Sequence, residues 1–231
     1  MLELVHMTAT YSNAMLVAIL PHVSDFAMKL GLPISQPITA SQVVWFHPSP
    51  YKDLIGGGLV LSNRYWFAFN NGCVEGFRTP DNIFYDQDPA ANWPSYAYGK
   101  DNMTTNAVLA LARESLKKLG YAPELLGCDA PPKSFNGPYD TKDGRYVPGC
   151  QMRWESIPDA RTAEESKNND IVTVEIDMNK KTVVGLHITS KKVWRAPPKL
   201  SVQPELEKDF KQRTKLDSMF IRTNAPPTLT K

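Results

Sequence analysis

Two stretches of this chain carry nearly the same text. Asn13-Ala14-Met15-Leu16 leads on to Lys29-Leu30-Gly31-Leu32, and Asn106-Ala107-Val108-Leu109 leads on to Lys118-Leu119-Gly120-Tyr121. Each is followed by strand-like sequence that closes on a Val-x-Gly-apolar step, Val74-Glu75-Gly76-Phe77 and Val183-Val184-Gly185-Leu186. A helix-then-sheet unit written twice constrains the fold strongly, because each unit must bury one helix face against one sheet face. The expected fold class is α+β: two tandem helix-plus-antiparallel-sheet units arising from a duplication. Residues 1–100 hold the first unit and a linker, 101–195 the second unit, and 196–231 a Pro-rich extended tail with a short helix near Pro204.

The local signals follow from spacing. In the first helix Leu16, Ile19, Leu20, Val23, Phe26, Ala27 and Leu30 recur at three and four residues, which makes one apolar face. Ser12 or Asn13 is the expected N-cap, and Pro21 predicts a kink or break near Leu20. In the second helix Thr104 or Thr105 caps a stripe of Val108, Leu109, Ala112, Leu116 and Leu119, with Glu114 and Lys118 paired at i,i+4. Gly31 and Gly120 stop the helices, which are expected to differ in length by about one turn. Strands are expected at Gln42–His47, at Leu59–Phe69 as one long strand, and at Cys73–Phe77 after the Asn70-Asn71-Gly72 turn. The second unit supplies Arg145–Ile157, disturbed by Pro148-Gly149, then Ile171–Asp177 with strict alternation, then Thr182–Thr189. Met1–Tyr11 is a lead-in, Asp81–Lys100 an ordered linker anchored by aromatic residues, and Asp159–Asp170 a polar loop.

Composition excludes some function classes. A net charge of +2 provides no global field for nucleic acid or an acidic membrane. The longest apolar run near the start, Ala14–Leu20, is far below the ~20 residues of a membrane span and has no basic leader. Three cysteines leave at least one unpaired; Cys128 and Cys150 are the candidate disulfide, against the alternative of three reduced thiols. Such a bridge would close a loop of about 20 residues and stabilise by ~3 kcal/mol.

No chemistry-bearing constellation stands out. His6, His22, His47 and His187 are scattered without ligand spacing. Asp86-Gln87-Asp88 opens like a calcium loop but meets Ala90 where an oxygen is required. Gly56-Gly57-Gly58 lacks the Gly-Lys-Ser/Thr ending of a phosphate loop and reads as a flexible hairpin connection. No Gly-x-Ser-x-Gly occurs. No catalytic residue, cofactor or metal is assigned. Trp45, Trp66, Trp154 and Trp194 are the candidate lining of a ligand or partner groove, though strand aromatics more commonly belong to a core. Lys191, Lys192 and Arg195 cluster around Trp194 as a charged sheet edge.

The second unit, with its hairpin Asp177-Met178-Asn179-Lys180-Lys181-Thr182-Val183-Val184-Gly185, resembles PepSY-like and cystatin-like α+β modules, without their usual turn glycine. Gln42-Val43-Val44-Trp45-Phe46 is similar to the cystatin inhibitory loop, with Phe46 in place of its glycine. Asn92-Trp93-Pro94 shares Trp and Pro with the second inhibitory loop. The whole chain also resembles bacterial proteins of environmental origin, a likeness that brings no function with it. PepSY-like resemblance implies an extracytoplasmic setting and a link to peptidase regulation. The expected function is a non-catalytic module that binds protein or assembles with its own copies. The alternatives are a peptidase inhibitor or propeptide-like regulator, and an enzyme or small-ligand binder with a site between the units.

Overall fold

The computed structural model describes residues 9–49, 56–70, 72–82, 103–140, 146–157 and 169–193. Helix α1 (Ala9–Leu30) is followed by β1 (Val43–Pro48), β2 (Gly56–Leu61), β3 (Trp66–Asn70) and β4 (Cys73–Arg78). Helix α2 (Thr105–Lys118) is followed by β5 (Ser134–Asn136), β6 (Tyr139–Asp140), β7 (Tyr146–Val147), β8 (Gly149–Glu155), β9 (Ile171–Asp177) and β10 (Thr182–Thr189). The class is α+β. Eight strands form one antiparallel sheet in the order β1-β2-β3-β4-β10-β9-β8-β5, and β6 pairs with β7 apart from it.

That order runs the same way inward from either edge. Strands β4 and β10 meet at the centre, pairing Gly76 with His187, Phe77 with Leu186 and Arg78 with Gly185. Each is the last strand of its half and carries the Val-x-Gly-apolar step. Exchanging every β4 residue for its β10 counterpart carries this pairing onto itself, with Phe77 and Leu186 at the centre. The flanking hairpins agree as well. In β3–β4 the ladder skips Glu75, and in β9–β10 it skips Val184; these bulges precede Gly76 and Gly185.

The helices end alike. Leu32 N donates to Ala27 O and Gly31 N to Met28 O; Tyr121 N donates to Leu116 O and Gly120 N to Lys117 O. Gly31 and Gly120 take φ of +67° and +86°, which a side chain would strain. Asp25–Lys29 and Glu114–Lys118 form i,i+4 ion pairs at 2.7 and 2.9 Å at the same distance before each glycine. Such exposed pairs add only a few tenths of a kcal/mol. Most helix stability therefore comes from packing on the sheet.

Both helices cover one face. Phe26 of α1 sets its ring edge against Phe67 and Phe77, with centroids 6.3 and 5.8 Å apart. Val108, Ala112 and Leu116 of α2 are buried in the same core as Val174, Ile176, Leu186 and Ile188. The two halves thus share one hydrophobic core rather than two.

Several expectations are corrected. Helix α1 is one 22-residue element that passes through Pro21, and Ser12 and Asn13 lie inside it. Pro21 is exposed. The helices, of 22 and 14 residues, differ by more than one turn. The expected strand Leu59–Phe69 is two strands, because Ser62–Tyr65 reverses the chain. Leu61 N donates to Tyr65 O, Arg64 N donates to Leu61 O, and Arg64 takes φ +65°. Gly56–Gly58 is part of β2, not a connection. Thr104 does cap α2, its hydroxyl accepting from Ala107 N at 3.3 Å. The lead-in up to residue 8, the calcium-like loop, Trp93, Trp194 and the tail from residue 196 lie outside the described residues.

Candidate functional site

Strand parity sorts the tryptophans. Trp154 shares its side with Val172, its register partner, and lies 2% exposed in the core, its Nε1 donating to Ala130 O at 3.0 Å. It cannot line a groove with Trp66, which pairs with Arg78 on the opposite face. Trp45 and Trp66 do come together on that face. A Cβ built on Gly58 would lie 3.3 Å from both rings, so the glycine makes room for them. Trp45 stacks on His47 at 5.8 Å, and the Arg78 guanidinium lies 4.9 Å over the Trp66 ring. Trp194, the fourth expected member, is outside the described residues.

This aromatic patch adjoins an edge. β1 ends the sheet, and Val44 and Trp45 are 65% and 48% exposed. Val44 is the bulged residue; from Trp45 to Pro48 the register with β2 is regular. The Gln42–Phe46 stretch forms the end of a 3-10 turn and the start of β1. The Gln42 side chain is used locally, its Oε1 accepting from Thr39 N at 2.7 Å and its Nε2 donating to Ser35 O at 3.2 Å.

Further along this face, Glu175 of β9 folds over Gly185 of β10. Its Oε2 accepts from Asn82 Nδ2 at 2.8 Å and its Oε1 from Gln151 Nε2 at 2.9 Å, and Asn82 also donates to Val184 O. Asn82 follows β4, so this buried network ties the two halves together. His187 lies beside it, its Nε2 3.1 Å from Thr189 Oγ1. Its imidazole titrates below the usual value: partial burial against the sheet comes first, then repulsion from Arg78, partly offset by Glu175.

On the helix side a cleft of about 360 Å³ opens where the halves meet. Its floor includes Tyr65, Phe77, Leu111 and Val184. Its rim carries Lys118, Lys180 and Lys181 against one carboxylate, Asp81. Asp81 forms an ion pair with Lys180. It titrates below its ordinary value, because partial burial, which raises it, is outweighed by the hydrogen bond and charge of Lys180. Burial, followed by the Asp81 charge, raises the Tyr65 phenol. No local sequence motif marks this cleft.

Cys73, Cys128 and Cys150 are all buried thiols outside any disulfide, so the candidate Cys128–Cys150 bridge is not formed. Cys150 sits in the sheet with Met152 and Trp154, whereas Cys128 follows the 3-10 turn Pro123–Leu126. Burial pushes both of these thiols up to about 12. Among the described residues no group of three or more His, Cys, Asp or Glu could hold a metal ion, and no helix is long and apolar enough to cross a membrane.

Set against protein families, curated proteins and solved structures, the chain matches none. The likeness to PepSY-like and cystatin-like modules therefore rests on the residues quoted for it.

Proposed function

We propose that the chain is a non-catalytic protein-binding module, built by tandem duplication of one helix-plus-four-strand unit, that self-associates by strand addition at β1. The observation that carries this reading is the outer edge of β1, where Val44 and Trp45 stand exposed beside a regular ladder from Trp45 to Pro48. An edge strand offers backbone donors and acceptors to another strand, and exposed apolar side chains add burial on pairing. The opposite edge is poorer, since β5 has only three residues. Duplication is supported by the mirrored strand order, the matched bulges at Glu75 and Val184, and the matched helix ends. The central β4–β10 pairing is itself an antiparallel meeting of equivalent strands, the kind of contact that a β1–β1 pairing between copies would repeat. An extracytoplasmic setting follows from the PepSY-like resemblance. A peptidase-inhibitor reading has weaker support, because the Gln42–Phe46 stretch lies in a turn and strand rather than at a loop tip.

Light scattering coupled to size-exclusion chromatography over a concentration series tests the proposal. The wild-type mass should rise with concentration toward that of a dimer, while Val44→Lys stays at the monomer mass. A wild-type protein that remains monomeric throughout, or a Val44→Lys variant that associates equally, overturns it.

A further inference from the structure

We infer that the cleft between the two halves is a binding site for a small amphipathic anion, with an apolar body and one negatively charged group. The argument begins with a second, smaller space. A shallow pocket of about 20 Å³, room for little more than one water, is lined by residues including Phe26, Lys29, Cys73 and Tyr121. Counted back from the helix-ending glycines, Phe26 and Lys29 are the counterparts of Ser115 and Lys118; Leu119 and Tyr121 are those of Leu30 and Leu32. Counted from the Val-x-Gly-apolar steps, Cys73 and Val74 are the counterparts of Thr182 and Val183. The shallow pocket and the 360 Å³ cleft therefore occupy equivalent places on either side of the Phe77–Leu186 centre.

One place is nearly filled and the other is not, and the difference lies in side chains. Where α1 drives Phe26 against Phe67 and Phe77, α2 has Ser115, a small residue whose hydroxyl turns back to donate to Leu111 O at 2.9 Å. Where the nearly filled side has Tyr121, the other side has Leu32. The same backbone arrangement can thus fill this space, and the cleft exists because a large side chain is missing. A cleft of this size with an apolar floor falls in the range of small-molecule sites. The rim sets the ligand's charge: Asp81 is paired with Lys180 and Lys118 with Glu114, which leaves the charge of Lys181 unbalanced among the described residues. An apolar cation would meet this excess positive charge, whereas an anion would find Lys181 at the mouth, with the Glu114-paired Lys118 beside it.

Isothermal titration of the full chain with decanoate, and with decyltrimethylammonium as its cationic counterpart, tests the inference. Wild-type protein should bind decanoate saturably at one site and the cation at least about tenfold more weakly. Ser115→Phe, which copies the nearly filled side, should weaken decanoate binding by a factor of about ten or more while thermal unfolding shows an intact fold. The double variant Lys118→Gln, Lys181→Gln, altered only at the exposed rim, should weaken decanoate binding and its dependence on salt; it keeps the test decisive if Ser115→Phe does not fold. No saturable decanoate binding, equal binding of the cation, or unchanged binding after either substitution overturns the inference. Val44→Lys should bind decanoate as wild type does, which separates this site from the β1 edge.

Discussion

Phe77 of β4 faces Leu186 of β10 at the centre of the sheet, and both are buried under the two helices. They join the halves at the centre of the sheet, and Phe77 also packs on Phe26 and Phe67 of its own half. Phe77→Ala should lower stability by about 3–5 kcal/mol and Leu186→Ala by about 2–5 kcal/mol. Denaturant unfolding of the single and double variants should give a coupling of at least ~0.5 kcal/mol between them. Strictly additive losses would mean that the two side chains do not share a packed environment.

The glycines beside them are required for different reasons. A Cβ on Gly185 would collide with the Glu175 carboxylate, and one on Gly76 would lie 2.6 Å from the Leu186 carbonyl oxygen. Either alanine should cost about 1–3 kcal/mol through overpacking. Adding Glu175→Ala to Gly185→Ala should recover part of the loss, since a side chain is the obstacle. Truncating His187, whose Nδ1 would lie 2.9 Å away, should rescue Gly76→Ala less, because the nearer obstacle is the backbone oxygen. Equal rescue in both cases would contradict this assignment.

The pH dependence of stability has two parts. His187 has a folded pKa below the ordinary 6.5, so the unfolded chain binds its proton more readily. Stability should therefore fall as pH drops below about 6.5 and level off below the folded pKa; His187→Gln should flatten that slope. Glu155 is held below its ordinary 4.5 by Lys133, 2.8 Å away, and by Arg153 at 2.6 Å. Its contribution is present above pH 4.5 and lost as pH falls through the lower folded value, a loss that Glu155→Gln should remove. Denaturant midpoints measured from pH 8 to pH 3 check both windows.

The cysteines should be silent in the native protein. Cys128 and Cys150 are buried thiols that titrate near 12, and Cys73 is buried with its Sγ 3.1 Å from Asn70 O. Brief iodoacetamide treatment without reductant should modify none of them in the folded chain and all three in denaturant. A single modification in denaturant would reveal a disulfide.

Elements with strong periodicity were legible in the sequence. Helix α2, with Thr104 before it and Gly120 after it, and strand β9, with Val172, Val174 and Ile176 on one side, follow from local pattern. The β2–β3 turn was hidden because Ser62-Asn63-Arg64 has neither Gly nor Pro, and Arg64 accepts a left-handed backbone. β5 was hidden by its length of three residues. Trp154 was misplaced because its side is fixed by pairing with Val172, a contact between distant positions. The cleft was harder still. Its signal is Ser115 standing where the other helix has Phe26, which carries meaning only once the two halves are known to pack about a common centre.

That common centre is the claim on which the rest depends, and amide hydrogen exchange followed by NMR tests it most directly. If β4 and β10 are the central strands of one sheet, the ladder amides around Phe77 and Leu186 should be among the slowest to exchange, together and near the rate set by global unfolding, while those of β1 and β5 exchange much faster. Rapid exchange at β4 and β10, with each half protecting only its own interior strands, would show two separate sheets and contradict the account.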